Sequence, residues 1–232
     1  MNIDQYIADL KTKPKIEWLG HLIDGQWQKS FSDSEVRHSE NPSDGSVFME
    51  PHISKDAVMA AVDFAYDSRH EVQQLGFERR IEELQKFCRA LGDYSEAFIT
   101  MLKYECGRTD WEAHEDVSAS IRYLDFITKN AKLIRDSLLA PASIGKSMDE
   151  FKILPIGVTL GYLPFSTPLT TFCTYFSASM LTGCPLVCVS TTHSAGVATL
   201  LGLVATKIHL PFGLLSLTFG SFKKTKTVFK EK

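Results

Sequence analysis

Between Lys152 and Lys207 the chain carries no Asp, Glu, Lys or Arg. So long an uncharged stretch has two physical homes: the hydrocarbon of a membrane, or the buried centre of a layered α/β domain. Punctuation decides between them. A spanning helix needs about 20 consecutive apolar residues. Here Pro155, Gly157, Gly161, Pro164, Pro168, Gly183 and Pro185 cut the run into shorter pieces. A buried α/β core is therefore expected, and no membrane partner.

The pieces alternate in kind. Residues 153–163, ILPIGVTLGYL, are apolar and β-branched and predict a strand. Residues 169–182 are helix-length, with Leu169, Phe172, Cys173 and Phe176 at helical spacing. PLVCVS, 185–190, is a short apolar run of the kind covered on both faces of a sheet. Residues 195–208 are helix-length again, with Val197, Leu200, Leu201, Val204 and Ile208 on one side. GLLSLTFG, 213–220, reads as a third strand. Strand, helix, strand, helix, strand predicts the opening of a doubly wound parallel sheet, hence an α/β fold.

The chain before this stretch is of another kind. Of the 28 acidic residues only Glu231 lies beyond Glu150. Ser54 is placed to cap a helix with the apolar stripe Val58, Ala61, Val62, Ala65 and Tyr66. A second helix is expected from about Phe77, with Ile81, Leu84, Cys88 and Leu91 inward. It should break near Gly92 and resume through Ala97, Phe98, Met101 and Leu102. A third should run over 111–131 on Val117, Ile121, Leu124 and Ile127. Upstream, HLIDGQW and NPSDG predict short strands joined by Asp-Gly turns. The segments are then an extension (1–20), a helix and strand region (21–150), the start of the sheet domain (151–221) and a lysine-rich tail (222–232).

Charge and cysteines exclude some roles. A net charge of −3 gives no reason to expect nucleic acid as the partner. The five cysteines form no CxxC pair, and Cys173, Cys184 and Cys188 sit among apolar residues. That pattern fits reduced, buried thiols in a cytoplasmic protein. MNIDQYIADLKTKPK lacks an apolar core segment, so no secretory signal is expected, and no lipidation box is visible.

Several stretches in order resemble the aldehyde dehydrogenase superfamily. Ile23-Asp24-Gly25 with Trp27 is similar to its N-terminal strand signature, followed by Asn41-Pro42, Asp44-Gly45, SKDAVMAAVDFA and FERRIEELQKF. Glu105-Cys106-Gly107-Arg108 resembles the family's E-T-G-K turn, and EAHEDVSASIRYLDF the helix after it. Pro155-Ile156-Gly157-Val158 is like the P-x-G-V strand opening, and LPFSTPL falls where the family has P-W-N-F-P. Leu210-Pro211-Phe212-Gly213 and Thr218-Phe219-Gly220-Ser221 resemble the L-P-P-G and T-G-S segments. The resemblance covers about residues 20 to 221.

It implies a Rossmann-like domain for NAD or NADP over 151–221. It also implies oxidation of a small aldehyde to an acid through a cysteine thiohemiacetal. Covalent catalysis of that kind needs a thiolate and donors aimed at the oxyanion. The resemblance marks Ser166 as the catalytic candidate, at the loop asparagine position. It marks Pro164, Phe165, Ser190, Thr192 and Gly220 as cofactor contacts. Metal ligands are not expected.

The sequence departs from the family pattern where the chemistry should show. A serine hydroxyl at 166 is shorter than a carboxamide, and losing one oxyanion donor costs roughly 10²–10³ in kcat. The K-P-S-E run becomes Val189-Ser190-Thr191-Thr192, without lysine or acid. After Ser221 the chain turns to FKKTKTVFKEK. This predicts a disordered tail, read from another frame, in place of the catalytic domain with its cysteine and glutamate. The chain is therefore expected to be the N-terminal portion of such an enzyme, inactive alone. The alternative is a non-catalytic interaction protein, or degenerate remnant, that keeps the scaffold. The third strand, 213–220, is expected at an open edge that a second copy or another chain would cover.

Other candidates have plainer readings. Apolar neighbours raise the pKa of a cysteine, so Cys173, Cys184 and Cys188 read as core. His114 and Glu115 lack further ligands at metal spacing and read as a solvated helix face. His193, next to Ser194, reads as a loop or cap residue. Glu105 to Arg108 reads as a helix C-cap with Gly107 left-handed.

Overall fold

The computed structural model describes residues 2–138, 143–144, 147–148 and 154–231. The expected segment boundary at 150/151, and Ile153 at the start of the first strand, lie outside them. Helix α1 (Ile3–Thr12) is capped by Asn2, whose side chain accepts from Gln5 N–H at 2.8 Å. Strands β1 (His21–Ile23) and β2 (Gln26–Gln28) form the expected hairpin. Asp24 and Gly25 take φ of 54° and 66°, the mirror-image turn that suits strand twist. Then come β3 (Glu35–Val36), β4 (Ser39–Glu40), β5 (Val47–Met49) and β6 (His52–Ile53), with β3 paired to β6 and β4 to β5.

Five helices follow: α2 (Lys55–Asp67), α3 (Arg69–Gln74), α4 (Gly76–Asp93), α5 (Ser95–Cys106) and α6 (Asp110–Leu138). Ser54 caps α2 as expected, its hydroxyl accepting from Ala57 N–H at 2.9 Å. The break near Gly92 is the α4–α5 junction. Of the expected stripes, Tyr66 is exposed and Cys88 half-buried; the Arg69 guanidinium covers the Tyr66 ring. A short hairpin, β7 (Ser143–Ile144) with β8 (Ser147–Met148), precedes the sheet strands.

The charge-free stretch folds in the predicted order, although its first strand starts at Thr159 and the described residues 154–158 lie outside it. It supplies β9 (Thr159–Leu163), α7 (Pro168–Thr182), β10 (Leu186–Ser190) and α8 (Ala195–Lys207), followed by β11 (Leu215–Phe219) and α9 (Phe222–Glu231). Strands β9, β10 and β11 are parallel and in continuous register. Side chains of β10 alternate between faces. Val187 and Val189 pack toward α2 and α9; Leu186 and Cys188 join the main core with α7 and α8. Behind α7 and α8 lie α4, α5 and α6. Among the described residues no helix is long and apolar enough to cross a membrane.

Three expectations are corrected. The third strand, β11, is not an edge, because the sheet order is β2-β1-β11-β10-β9. Strand β1 covers it antiparallel at Leu22↔Leu217, and His21 Nδ1 accepts from Phe219 N–H at 3.1 Å. The parallel end of the sheet is β9 instead. Second, α8 has no one-sided stripe; residues 195–205 are all buried, because the helix lies between the sheet and α1, α4 and α5. Third, residues 222–231 are not a disordered tail but helix α9. Its Val228, 2% exposed, packs with Val58 and Val189.

Candidate functional site

In an open α/β sheet, ligands bind beyond the carboxyl ends of the parallel strands. Three helices start at that rim here: α7 after β9, α8 after β10 and α9 after β11. What each N-terminus meets decides where a ligand can go, since its first N–H groups lack helical partners.

The N-terminus of α8 is filled by the chain itself. Helix α5 ends at Gly107, left-handed at φ 63°, where a Cβ would come within 2.8 Å of the Pro42 ring. This C-cap fits the expected reading, but the turn also aims Glu105 across at α8. Its carboxylate accepts from Gly196 N–H at 2.8 Å, Val197 N–H at 2.9 Å and the Ser39 hydroxyl at 3.1 Å. Burial pushes the Glu105 carboxyl up to about 7, while those donors pull it back down. The approach to α8 is closed as well. Ser190 is buried with its hydroxyl 2.9 Å from that of Ser194, and the Thr191 hydroxyl lies 3.1 Å from the same group.

The N-terminus of α9 adjoins a cavity. Gly220 N–H donates to Ser190 O at 3.0 Å, tying the ends of β10 and β11 together. A Cβ on Gly220 would sit 3.0 Å from Thr225 Oγ1 and 3.1 Å from Val189 Cγ1, so glycine allows α9 to begin this close to the sheet. The Thr225 hydroxyl is buried without a partner among the described residues. Beside these ends opens a cavity of about 270 Å³ lined by Arg37, Ile53, Tyr162, Thr191, Thr192, Gly220, Ser221 and Phe222. The Phe222 ring meets Tyr162 edge-on at 5.6 Å.

The loop between β9 and α7 is held from behind. The Arg108 guanidinium donates to the Ser166 carbonyl and lies 3.7 Å from Asp116, which accepts from the Thr170 hydroxyl at 2.8 Å. Phe165 is 59% exposed and the Ser166 side chain faces solvent; Pro164 is half-buried.

Of the sequence candidates, the structure brings Thr192 and Gly220 together on one cavity. Ser190 lies beneath it, engaged with Ser194, and Pro164, Phe165 and Ser166 lie outside its lining. Sequence reasoning missed Arg37, Tyr162, Ser221 and Phe222. Tyr162 and Ser221 follow from strand-end position, whereas nothing in the sequence links Arg37 on β3 to the end of β10. It also missed what Glu105 does.

Burial raises the pKa of Cys88, Cys173 and Cys188, and pushes Cys106 up to about 12. His114 is exposed, 3.7 Å from Asp110, and His193 is exposed in a single 3-10 turn, Thr192–Ser194. No group of three or more metal-ligating side chains occurs among the described residues.

A sequence profile described as "Aldehyde dehydrogenase family" matches residues 27–231. The match runs through α9, so the change of composition after Ser221 is not where the likeness stops. Malonate-semialdehyde dehydrogenase 2 of Geobacillus thermodenitrificans (strain NG80-2) is 25% identical over 215 residues, 92% of this chain and 44% of its own length. Malonate-semialdehyde dehydrogenase 1 of Geobacillus kaustophilus (strain HTA426) is 26% identical over 212 residues, 90% of this chain and 43% of its own. The chain thus spans less than half the length of these relatives. Among solved structures, a protein of Sinorhizobium meliloti 1021, provisionally described as a methylmalonate-semialdehyde dehydrogenase and complexed with NAD, superposes with a TM-score of 0.80. It has 22% identity over 94% of this chain and 44% of its own. Lactaldehyde dehydrogenase from Escherichia coli superposes with a TM-score of 0.79 and 19% identity, over 91% and 44%.

Proposed function

Since the chain belongs to the aldehyde dehydrogenase family, we propose that it is a nucleotide-holding part of an NAD(P)-dependent aldehyde oxidation, working in the cytoplasm and not oxidising aldehyde by itself. The carrying observation is the cavity at the carboxyl ends of β10 and β11, whose described lining holds an arginine and no carboxylate. Its donor set suits a nucleotide: the Thr192 hydroxyl, Ser221, the opening turn of α9 and the Arg37 guanidinium. A nicotinamide cofactor supplies the hydride acceptor of this chemistry when bound.

The chain's own residues supply less to the aldehyde. Arg108 fixes the Ser166 carbonyl and thereby the course of the loop, leaving the Ser166 hydroxyl as the one side-chain donor at the asparagine position. Buried thiols with raised pKa values are poor nucleophiles near neutral pH. Titrating the chain with NAD⁺ and NADP⁺ by calorimetry, with an aldehyde turnover assay on the same sample, tests both halves of the reading. Saturable binding without turnover is expected. No binding of either nucleotide sinks the nucleotide role, and turnover sinks the inactivity.

A second reading, a scaffold that binds another protein chain and no nucleotide, is favoured by Val189. At the family's lysine position it is fully buried between Val58 and Val228, so that position serves the core. On this reading the partner adds a strand along β9, which ends the sheet.

A further inference from the structure

We infer that the cavity at the ends of β10 and β11 selects a 2′-phosphorylated adenosine nucleotide, the NADP type, with Arg37 holding the 2′-phosphate. The inference rests on the nucleotide-binding reading above.

In doubly wound dinucleotide folds a carboxylate close to the end of the second strand takes the ribose hydroxyls of NAD. It repels a phosphate at the 2′ position, and where that phosphate is accepted an arginine stands near instead. In this chain the second parallel strand is β10, and it runs out into Ser190, Thr191 and Thr192. The whole stretch from β9 through α8 contains no acidic residue. Among the described residues that line the cavity none is acidic, and Arg37 is the one cation. The nearest buried carboxylate on this rim, Glu105, already accepts two N–H groups of α8 and a hydroxyl.

Arg37 reaches the cavity from β3. Its N–H donates to Pro51 O at 2.9 Å, which fixes the backbone, while the side chain is 52% exposed and pairs with Glu35. Exposed pairs of this kind contribute little and exchange readily. A guanidinium and a phosphate make shorter, two-pronged, charge-assisted bonds, so a phosphate ester on the ribose displaces Glu35. The Thr192 hydroxyl lies on the same lining and is placed to meet the sugar.

The test is titration calorimetry of the full chain with adenosine 2′,5′-bisphosphate and, separately, adenosine 5′-monophosphate. The bisphosphate is expected to bind at least about tenfold tighter, since one charge-assisted contact is worth about that factor. Arg37→Ala should remove the difference, bringing the bisphosphate down to the affinity of the monophosphate. Glu35→Gln, which frees the guanidinium without touching the β3 backbone, should widen it. Equal affinities in the native chain overturn the inference while leaving nucleotide binding standing. A preference that survives Arg37→Ala overturns the role of Arg37. If neither nucleotide binds, both the inference and the reading beneath it fail. Competition by inorganic phosphate equal to that by the bisphosphate would reduce the site to a generic anion site, against the inference.

Discussion

Two helices leave the same rim of the same sheet, and they end differently. At α8 the chain has spent its own carboxylate: Glu105 is 3% exposed and bonded to the first N–H groups of the helix. At α9 the corresponding position adjoins a cavity, with a buried threonine hydroxyl that finds no partner among the described residues. A helix N-terminus attracts negative charge wherever it occurs. The difference teaches that attraction alone does not locate a ligand. What matters is whether the protein has already answered it.

The sharpest way to break this comparison is to remove the plug. Glu105→Ala leaves Gly196 and Val197 N–H groups facing a buried void, and should cost about 3 kcal/mol or more in denaturant unfolding. A loss under about 1 kcal/mol would mean that α8 does not depend on Glu105. Filling the open end is gentler. Gly220→Ala places a methyl 3.0 Å from Thr225 Oγ1 and 3.1 Å from Val189 Cγ1, an overpacking worth about 1–3 kcal/mol, and should weaken nucleotide binding as α9 shifts away.

A pH series sharpens the comparison further. Burial raises Glu105 from 4.5 to about 7, so its contribution to stability is complete below 4.5 and lost as the pH rises through 7. Burial lowers His21 from 6.5 to about 3, so its contribution is present above 6.5 and lost as the pH falls toward 3. Between 4.5 and 6.5 the two slopes oppose each other. The native chain should therefore show a shallow profile in that window, and Glu105→Gln should lose stability steadily on acidification from 6.5 to 4.5. A variant profile as shallow as the native one would contradict the buried, titrating carboxyl. The smallest effect is expected at Thr225→Val. It replaces a hydroxyl without a partner among the described residues by a methyl of similar size, and should stabilise the free chain by about 1 kcal/mol.

The same contrast explains what the sequence could and could not say. Strands β9, β10 and β11 were legible because burial on both faces leaves a run without charge, and proline and glycine mark its joints. Strand β1 was legible as half of an Asp-Gly hairpin. Its pairing with β11 was not, because three residues such as His21–Ile23 carry no address for a partner nearly two hundred positions away, and pattern alone leaves β11 at an edge. Helix α9 was hidden by its lysines. Among the described side chains of α9, Thr225 and Val228, three apart, are the ones buried, and one turn of such spacing does not stand out from a basic tail. Glu105 and Gly107 announced a helix end, but the carboxylate's target on α8 exists only once the chain is folded. Thr192 and Gly220 were found through resemblance and strand-end position, while Arg37 comes from a two-residue strand that no pattern singles out.

The central claim, that ligand binds at α9 and not at α8, is tested most directly by hydrogen exchange of the full chain with and without adenosine 2′,5′-bisphosphate. The account predicts added protection at 190–192 and 220–225, and none at 195–197, where Glu105 already holds the N–H groups. Protection appearing at 195–197 while 220–225 stays unchanged would contradict it.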